Sequence, residues 1–145
     1  MKPNPEKLQC ISIIVCNDIY RDERSKNLVL CGTFNQVVGK KFPCRVPRMS
    51  VLVTLTNGLG NYDLRISVEH EASGVEILVL DGTAIISDPL SVQDVHVQMN
   101  EIVFEKPGKY WVVVKADNEI LQQRPLQAVL QLEQDFGNEK TDDPD

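Results

Sequence analysis

The sequence has no uninterrupted apolar run of the roughly 18 residues that a membrane helix requires. Its N-terminus, Met-Lys-Pro-Asn-Pro-Glu-Lys, leads into a strand-like run without a small-residue cleavage site, so no signal peptide is predicted. These two absences predict a cytoplasmic protein that does not interact with membranes.

Histidine is scarce, and the patterns that carry common catalytic chemistry are missing. His70 and His96 are the only histidines, and no G-x-S-x-G element accompanies them. The cysteines form no C-x-x-C pair and have no histidine at ligand spacing, which argues against a zinc site and for reduced core thiols. We therefore expect a protein that is not an enzyme, with no catalytic residues, no metal and no cofactor.

Basic charge is also in short supply. The net charge is −6, and residues 133–145 hold six acids against Lys140 alone, so the remainder has 21 − 6 = 15 acids and 15 − 1 = 14 bases. A nearly neutral body argues against nonspecific nucleic-acid binding, which needs a basic surface. We expect one domain over residues 1–132 and a disordered acidic tail over 133–145.

No segment has convincing helical periodicity, whereas short β-type runs recur with turn signals every 8 to 12 residues. The clearest run is residues 62–69, in which apolar and polar residues alternate as in a strand with one buried face. The pattern predicts an all-β fold of seven to nine strands in an antiparallel two-sheet sandwich, immunoglobulin-like or related. A closed barrel is the alternative.

Residues 104–132 carry the strongest fold signal. Pro107-Gly108 and Asp117-Asn118 predict turns that bound an apolar strand and a returning strand. Pro125 within the returning strand favours an edge position, which is a candidate site for binding a protein or a second copy of the chain.

Two other predictions concern a hairpin and a β-bulge. Asp81-Gly82 lies between two apolar runs and predicts a two-residue hairpin. The apolar phase changes by one residue between Met99 and Ile102, which predicts a β-bulge near Asn100 and Glu101.

Between Val37 and Met49 two prolines disfavour a central strand, so we expect a long surface crossing. It carries four basic residues beside Phe42 and Pro43. The four are Lys40, Lys41, Arg45 and Arg48. They are either ordinary solvated side chains or a contact for an anion or an acidic protein, and the acidic tail is one candidate occupant.

Trp111 follows Tyr110 on a strand, so the two side chains point to opposite faces. Trp111 is either a core residue or an exposed aromatic that stacks on a sugar or a partner. A calcium site between loops is the other small-ligand hypothesis. It requires Asp18, Asp22 and Glu23 to meet Asn57 and Asn61 at one end of the fold.

Read as a whole, residues 8–130 resemble an uncharacterised bacterial domain family of about this length. The residues that carry the resemblance are turn and core positions: Cys16 with Asp18, Lys26, L-C-G-T-F at 30–34, Phe42-Pro43, Pro47, 60–62, Phe104, P-G-K-Y at 107–110 and Pro125-Leu126. Asn17 separates the cysteine from the aspartate, unlike the family pattern. The resemblance implies a β-sandwich and no assigned activity.

The leading hypothesis is a non-enzymatic module that binds an unknown protein partner. The alternative is a module for a small ligand, carbohydrate or calcium, at the end loops or on the Trp111 face.

Overall fold

The computed structural model describes residues 7–132, and this part of the chain contains nine β-strands. The strands are β1 (Gln9–Arg21), β2 (Leu28–Thr33), β3 (Gln36–Gly39), β4 (Cys44–Thr56), β5 (Gly60–His70), β6 (Glu76–Ile86), β7 (Val92–Phe104), β8 (Gly108–Ala116) and β9 (Glu119–Leu130). The predicted all-β class and strand number are confirmed. The predicted tail lies outside the described residues.

The strands form two sheets. The first sheet has the order β2-β1-β4-β7, and the second has the order β3-β9-β8-β5-β6. All pairs are antiparallel except β3 with β9, so the prediction of wholly antiparallel sheets is wrong for that pair. The chain changes sheets at Phe34-Asn35, and β3 therefore pairs with β9 rather than with β2.

Alternating residues of both sheets point into one shared hydrophobic core. Val51 and Val53 of β4 face this core from the first sheet, and Val112 and Val114 of β8 face it from the second. All four are fully or almost fully buried because each belongs to a strand with neighbours on both sides. The period-2 pattern of the sequence therefore reports the core faces correctly.

The predicted surface crossing over residues 37–49 is wrong, because this segment contains β3 and the first part of β4. Pro47 fits within β4 because β1 pairs with β4 only as far as Ser50, opposite Cys16. Beyond that point β7 is the only strand of residues 7–132 that pairs with β4, so the missing N–H of Pro47 removes no hydrogen bond of the described sheet on the other side.

The predicted hairpin at Asp81-Gly82 is also wrong, because both residues lie inside the continuous strand β6. Asp81 is opposite Arg65, and Gly82 is opposite Leu64. The Arg65 side chain donates two hydrogen bonds to the Asp81 carboxylate, at 2.8 and 3.1 Å. The pairing of β6 with β5 before and after these residues keeps the dipeptide extended, and the exposed ion pair adds a smaller contribution.

The phase change in β7 occurs where the sequence predicts it, since Met99 and Ile102 are both buried. Glu101 has φ = +56°, which turns the strand at this point. The register with β4 is nevertheless unchanged on both sides of the irregularity, with Arg48 opposite Asn100 and Val46 opposite Ile102. The phase therefore changes without the inserted residue that defines a bulge.

Asp117 and Asn118 form the predicted turn between β8 and β9, with φ = +49° and +70°. Positive φ at both central residues is typical of the tight turn that matches the twist of a hairpin. In β9, Pro125 pairs with Trp111 of β8, and β3 joins the other side of β9 only from Gln127 onward. The part of β9 that contains Pro125 is therefore an edge, as predicted, whereas the end of β9 from Gln127 onward is covered by β3.

The strand directions separate the connections into two ends. The exit end contains residues 22–27, 40–43, 71–75 and 105–107 and the last described residues, 131–132. The opposite end contains residues 57–59, 87–91 and 117–118.

This arrangement overturns the premise of the calcium hypothesis. Gln9 pairs with Thr56, so Asn57 lies at the start of β1, whereas Asp18 and Asp22 lie at its far end. Nine residues of extended strand from Gln9 to Asp18 span about 30 Å.

Candidate functional site

Two of the four basic residues singled out in the sequence are neutralised by acids of neighbouring strands. Arg45 forms an ion pair with Glu101 at 3.0 Å, and Arg48 forms one with Asp18 at 3.2 Å. Both arginines lie on β4, on the solvent face of the first sheet. Their charges are therefore already paired with acids of the neighbouring strands β7 and β1, and a binding partner would have to compete with those acids.

Lys40 and Lys41 lie apart from the arginines, in the loop between β3 and β4 at the exit end. Both are exposed, and neither forms an ion pair within residues 7–132. The backbone N–H of Gln131 donates to the carbonyl of Gly39 at 2.9 Å. The acidic segment 133–145 therefore continues the chain from a point beside the two lysines.

Trp111 lies on the solvent face of the second sheet and is half-buried. Its indole N–H donates to Glu71 at 2.7 Å, and the Lys109 ammonium lies 4.6 Å from the ring centroid. Glu71 also pairs with Lys109 at 3.9 Å. Because a cation already lies over the indole, Trp111 is a poorer platform for a sugar ring than the sequence suggested.

Ion pairs also link the other charged side chains on this solvent face. Lys115 pairs with Glu69 at 3.9 Å, and Glu69 also accepts a hydrogen bond from the Ser67 hydroxyl at 3.1 Å. Arg65 pairs with Asp81, which raises the pKa of the arginine. The charges on this face are therefore paired within the sheet, in exposed ion pairs that each contribute little free energy.

The thiols do not form a common site, and all four are free. Cys16 is buried, and burial raises the pKa of its thiol. Cys31 is exposed on the edge strand β2, and its thiol hydrogen-bonds the neighbouring Tyr20, which raises the tyrosine pKa. Within residues 7–132, no group of three His, Cys, Asp or Glu residues is placed to hold a metal ion.

A different region combines features that sequence reasoning missed. We call it the β6–β7 side and define it as strands β6 and β7 with their connection, residues 76–104. Each strand is the outermost strand of its sheet, with 11 and 13 residues, whereas the edge strands on the other side, β2 and β3, have six and four. Long edges carry rows of backbone groups that are available to another strand.

The most exposed large aliphatic side chains of the described chain are all on this side. Leu90 is 86% exposed, Ile85 63% and Val92 62%. They lie within eight residues of sequence, around the connection between the two edge strands. Ile85 lies on the solvent face of the second sheet, since Ala84 and Ile86 on either side of it are buried. Val92 lies on the solvent face of the first sheet with Asp94. Leu90 lies in the connection itself, next to both open edges.

The core is also incompletely covered between the two edges. Val95 and Val97 of β7 point inward but are half-buried, whereas their partners Val53 and Val51 on β4 are fully buried. Leu78 and Leu80 of β6 are likewise half-buried beside the buried β5. The four side chains form an apolar seam between the sheets.

The charge of the β6–β7 side is one-sided. Residues 76–104 contain five acids and neither Lys nor Arg: Glu76, Asp81, Asp88, Asp94 and Glu101. Two bases on adjacent strands, Arg45 and Arg65, reduce the net charge from −5 to −3. The absence of Lys and Arg from residues 76–104 is visible in the sequence. The sequence does not show that β6 and β7 are the edge strands on the same side of the fold.

The chain matches the family of unknown function DUF6941 over residues 11–129. It belongs to that family. This confirms the resemblance that the sequence motifs indicated, and the family has no assigned activity. No curated protein sequence matches the chain.

Solved structures add information on the fold. One similar structure is the alkylpurine DNA glycosylase AlkC of Pseudomonas fluorescens, bound to DNA containing an abasic-site analogue, with 9% identity and a TM-score of 0.50 over 86% of this chain and 31% of that chain. An immunoglobulin-like protein from Pseudomonas aeruginosa gives 8% identity and a TM-score of 0.42 over 87% of this chain and 99% of that one.

The likeness to the glycosylase concerns the arrangement of strands alone, since identity is 9% and less than a third of that enzyme is covered. The score of the second structure is too low to define a shared fold. No helix within residues 7–132 has the length and apolar character to cross a membrane.

Proposed function

We propose that this chain is a non-enzymatic module that binds a protein partner through its β6–β7 side. The observation that supports the proposal is that two long open edges lie on one side of the fold, with Leu90, the most exposed large aliphatic side chain of residues 7–132, in the connection between them. Backbone groups at an edge and apolar side chains around it are complementary contributions to one interface.

The other surfaces support binding less well. Arg45 and Arg48 are paired with acids, and the Trp111 ring is covered by Lys109. These groups would have to give up existing partners before they contact a ligand, which costs binding free energy. The β6–β7 side has aliphatic side chains that lose only water on binding.

We also propose a specific fold type and a cellular location for the module. We take the two sheets to be an immunoglobulin-type sandwich in which one short strand, β3, pairs in parallel with its neighbour. We also place the module in the cytoplasm, where its free thiols would stay reduced.

Site-specific photo-crosslinking in the native host tests the proposal. A benzophenone amino acid replaces Leu90 in one variant and Val38, a half-exposed residue of the edge strand β3 on the other side of the fold, in the control. We expect covalent adducts with another protein from position 90 and not from position 38. Equal adducts at the two positions, or none at position 90, would contradict the proposal.

A further inference from the structure

We infer that the β6–β7 side binds an extended segment of its partner as an added strand on β7, and that this segment alternates apolar with basic residues. The inference rests on the proposed function and specifies the chemistry of the partner. It follows from three properties of β7: its open length, the apolar seam on its inner side and the acidic charge around it.

The open length of β7 suits a strand rather than a compact surface. From Val92 to Asn100 every residue is paired with β4 in one continuous register, and no strand lies on the other side within residues 7–132. Glu101, with φ = +56°, ends the regular run. A segment of about nine residues can therefore pair along β7 before the backbone turns.

The apolar seam determines one face of the segment. A strand added beside β7 lies about 4.8 Å from it and alternates its side chains between the two faces of the sheet. Its inner side chains would cover Val95 and Val97, and they would approach Leu78 and Leu80 across the seam. Aliphatic residues at every second position of the segment meet this requirement.

The charge determines the other face. On the outer face of β7, Asp94 is exposed, and its carboxylate accepts one hydrogen bond from the Thr54 hydroxyl at 2.9 Å. The edge strands themselves carry no lysine, the residue that commonly protects an edge from pairing. A lysine or arginine of an added strand that lies beside Asp94 on this outer face would pair with its carboxylate, and the net charge of −3 on the β6–β7 side favours further basic residues in the segment.

The same charge argues against a second copy of this chain as the occupant. Two copies that met through β7 would each bring the acidic residues 76–104, with no Lys or Arg in that range, to one interface. Like charges across an interface oppose association. A segment from a partner of opposite charge is the better fit.

Three labelled nine-residue peptides test the inference by fluorescence anisotropy at low salt. One alternates lysine and valine, one alternates glutamate and valine, and one has the composition of the first in two uniform blocks. We expect the alternating basic peptide to bind at least about tenfold more tightly than either of the others. Amide exchange should slow at the alternate residues of 92–100 whose N–H groups point away from β4, and it should remain unchanged in β3.

Two variants separate the pairing from the charge. Val97→Lys places an inward charge on the edge, a device by which proteins block strand addition, and should abolish binding. Asp94→Lys should weaken binding of the alternating basic peptide and strengthen binding of the alternating acidic peptide. Val38→Lys on the edge strand β3 is the control for a lysine on an edge away from β7, and it should bind like the unchanged chain. Circular dichroism and thermal melting check that all three variants fold.

The inference is overturned if β7 shows no added protection, if charge order or alternation makes no difference, or if the chain dimerises in sedimentation and Val97→Lys abolishes the dimer. Failure of the inference and failure of the proposed function are distinguishable. If position 90 cross-links to a protein that leaves the β7 amides unprotected, the β6–β7 side still binds a partner, but the partner does not add a strand to β7.

Discussion

The turn between β8 and β9 gives a sharp stability prediction at Asp117. The residue has φ = +49°, and its carboxylate accepts the backbone N–H of Asp63 at 2.9 Å. Its own N–H donates to the Asp63 carbonyl at 2.8 Å. The side chain therefore has two roles: it tolerates the left-handed conformation, and it ties the turn to β5.

Three substitutions separate these roles. Asp117→Asn keeps an acceptor oxygen and the tolerance of positive φ, so it should change the free energy of unfolding by less than about 0.5 kcal/mol. Asp117→Gly loses the hydrogen bond but relieves the backbone, for a loss of about 1 kcal/mol. Asp117→Ala loses the bond and adds backbone strain, for a loss of about 2 kcal/mol.

Urea unfolding followed by Trp111 fluorescence measures the series, and the urea dependence should be the same in all variants. A loss of about 2 kcal/mol corresponds to a decrease of roughly 8 °C in Tm for a chain of this size. The reasoning is refuted if the alanine variant is as stable as the asparagine variant. If glycine and alanine are equally unstable, only the strain contribution is refuted.

Three further predictions concern the exit end and the thiols. Asp22 accepts hydrogen bonds from the N–H and hydroxyl of Ser25, which lower its pKa, so Ser25→Ala should raise that pKa in an NMR titration. The depressed pKa stabilises the fold above the ordinary carboxylate range, and this contribution is lost as the pH falls through the lowered value. Iodoacetamide should label exposed Cys31 first and buried Cys16 last, with equal rates in urea, and labelling in the reverse order would contradict the burial argument. Deleting residues 133–145 should shift the amide signals of the loop between β3 and β4 at low salt but not at 1 M salt, and unchanged signals at low salt would reject a contact between the tail and the lysines.

The sequence was sufficient where the structural signal is local. The period-2 pattern of β5 and the paired positive-φ residues Asp117 and Asn118 both depend on neighbours a few residues away, and both predictions are correct. The same local logic failed at Asp81-Gly82. A turn-forming dipeptide remains extended there because β5, about 16 residues away in sequence, pairs with β6 before and after it.

The basic residues show the same limit at the level of a site. Their positions in sequence suggested one positive cluster, but Glu101 and Asp18 neutralise two of its members from other strands. Conversely, the β6–β7 side was not predicted, because a strand is an edge only when no other strand pairs with one of its two sides. The order of the strands in each sheet decides this. That information is contained in the pairing and in no single segment.

By itself the sequence determined the all-β class, the hairpin of β8 and β9 and the family, because alternation, turn residues and motif positions are properties of short stretches of chain. The tertiary structure alone decided which strands lie at the edges, which charges are already paired and which aliphatic side chains remain in water. The reason is physical. Burial and pairing depend on neighbours that are distant in sequence, and only the assembled sheets bring those neighbours together.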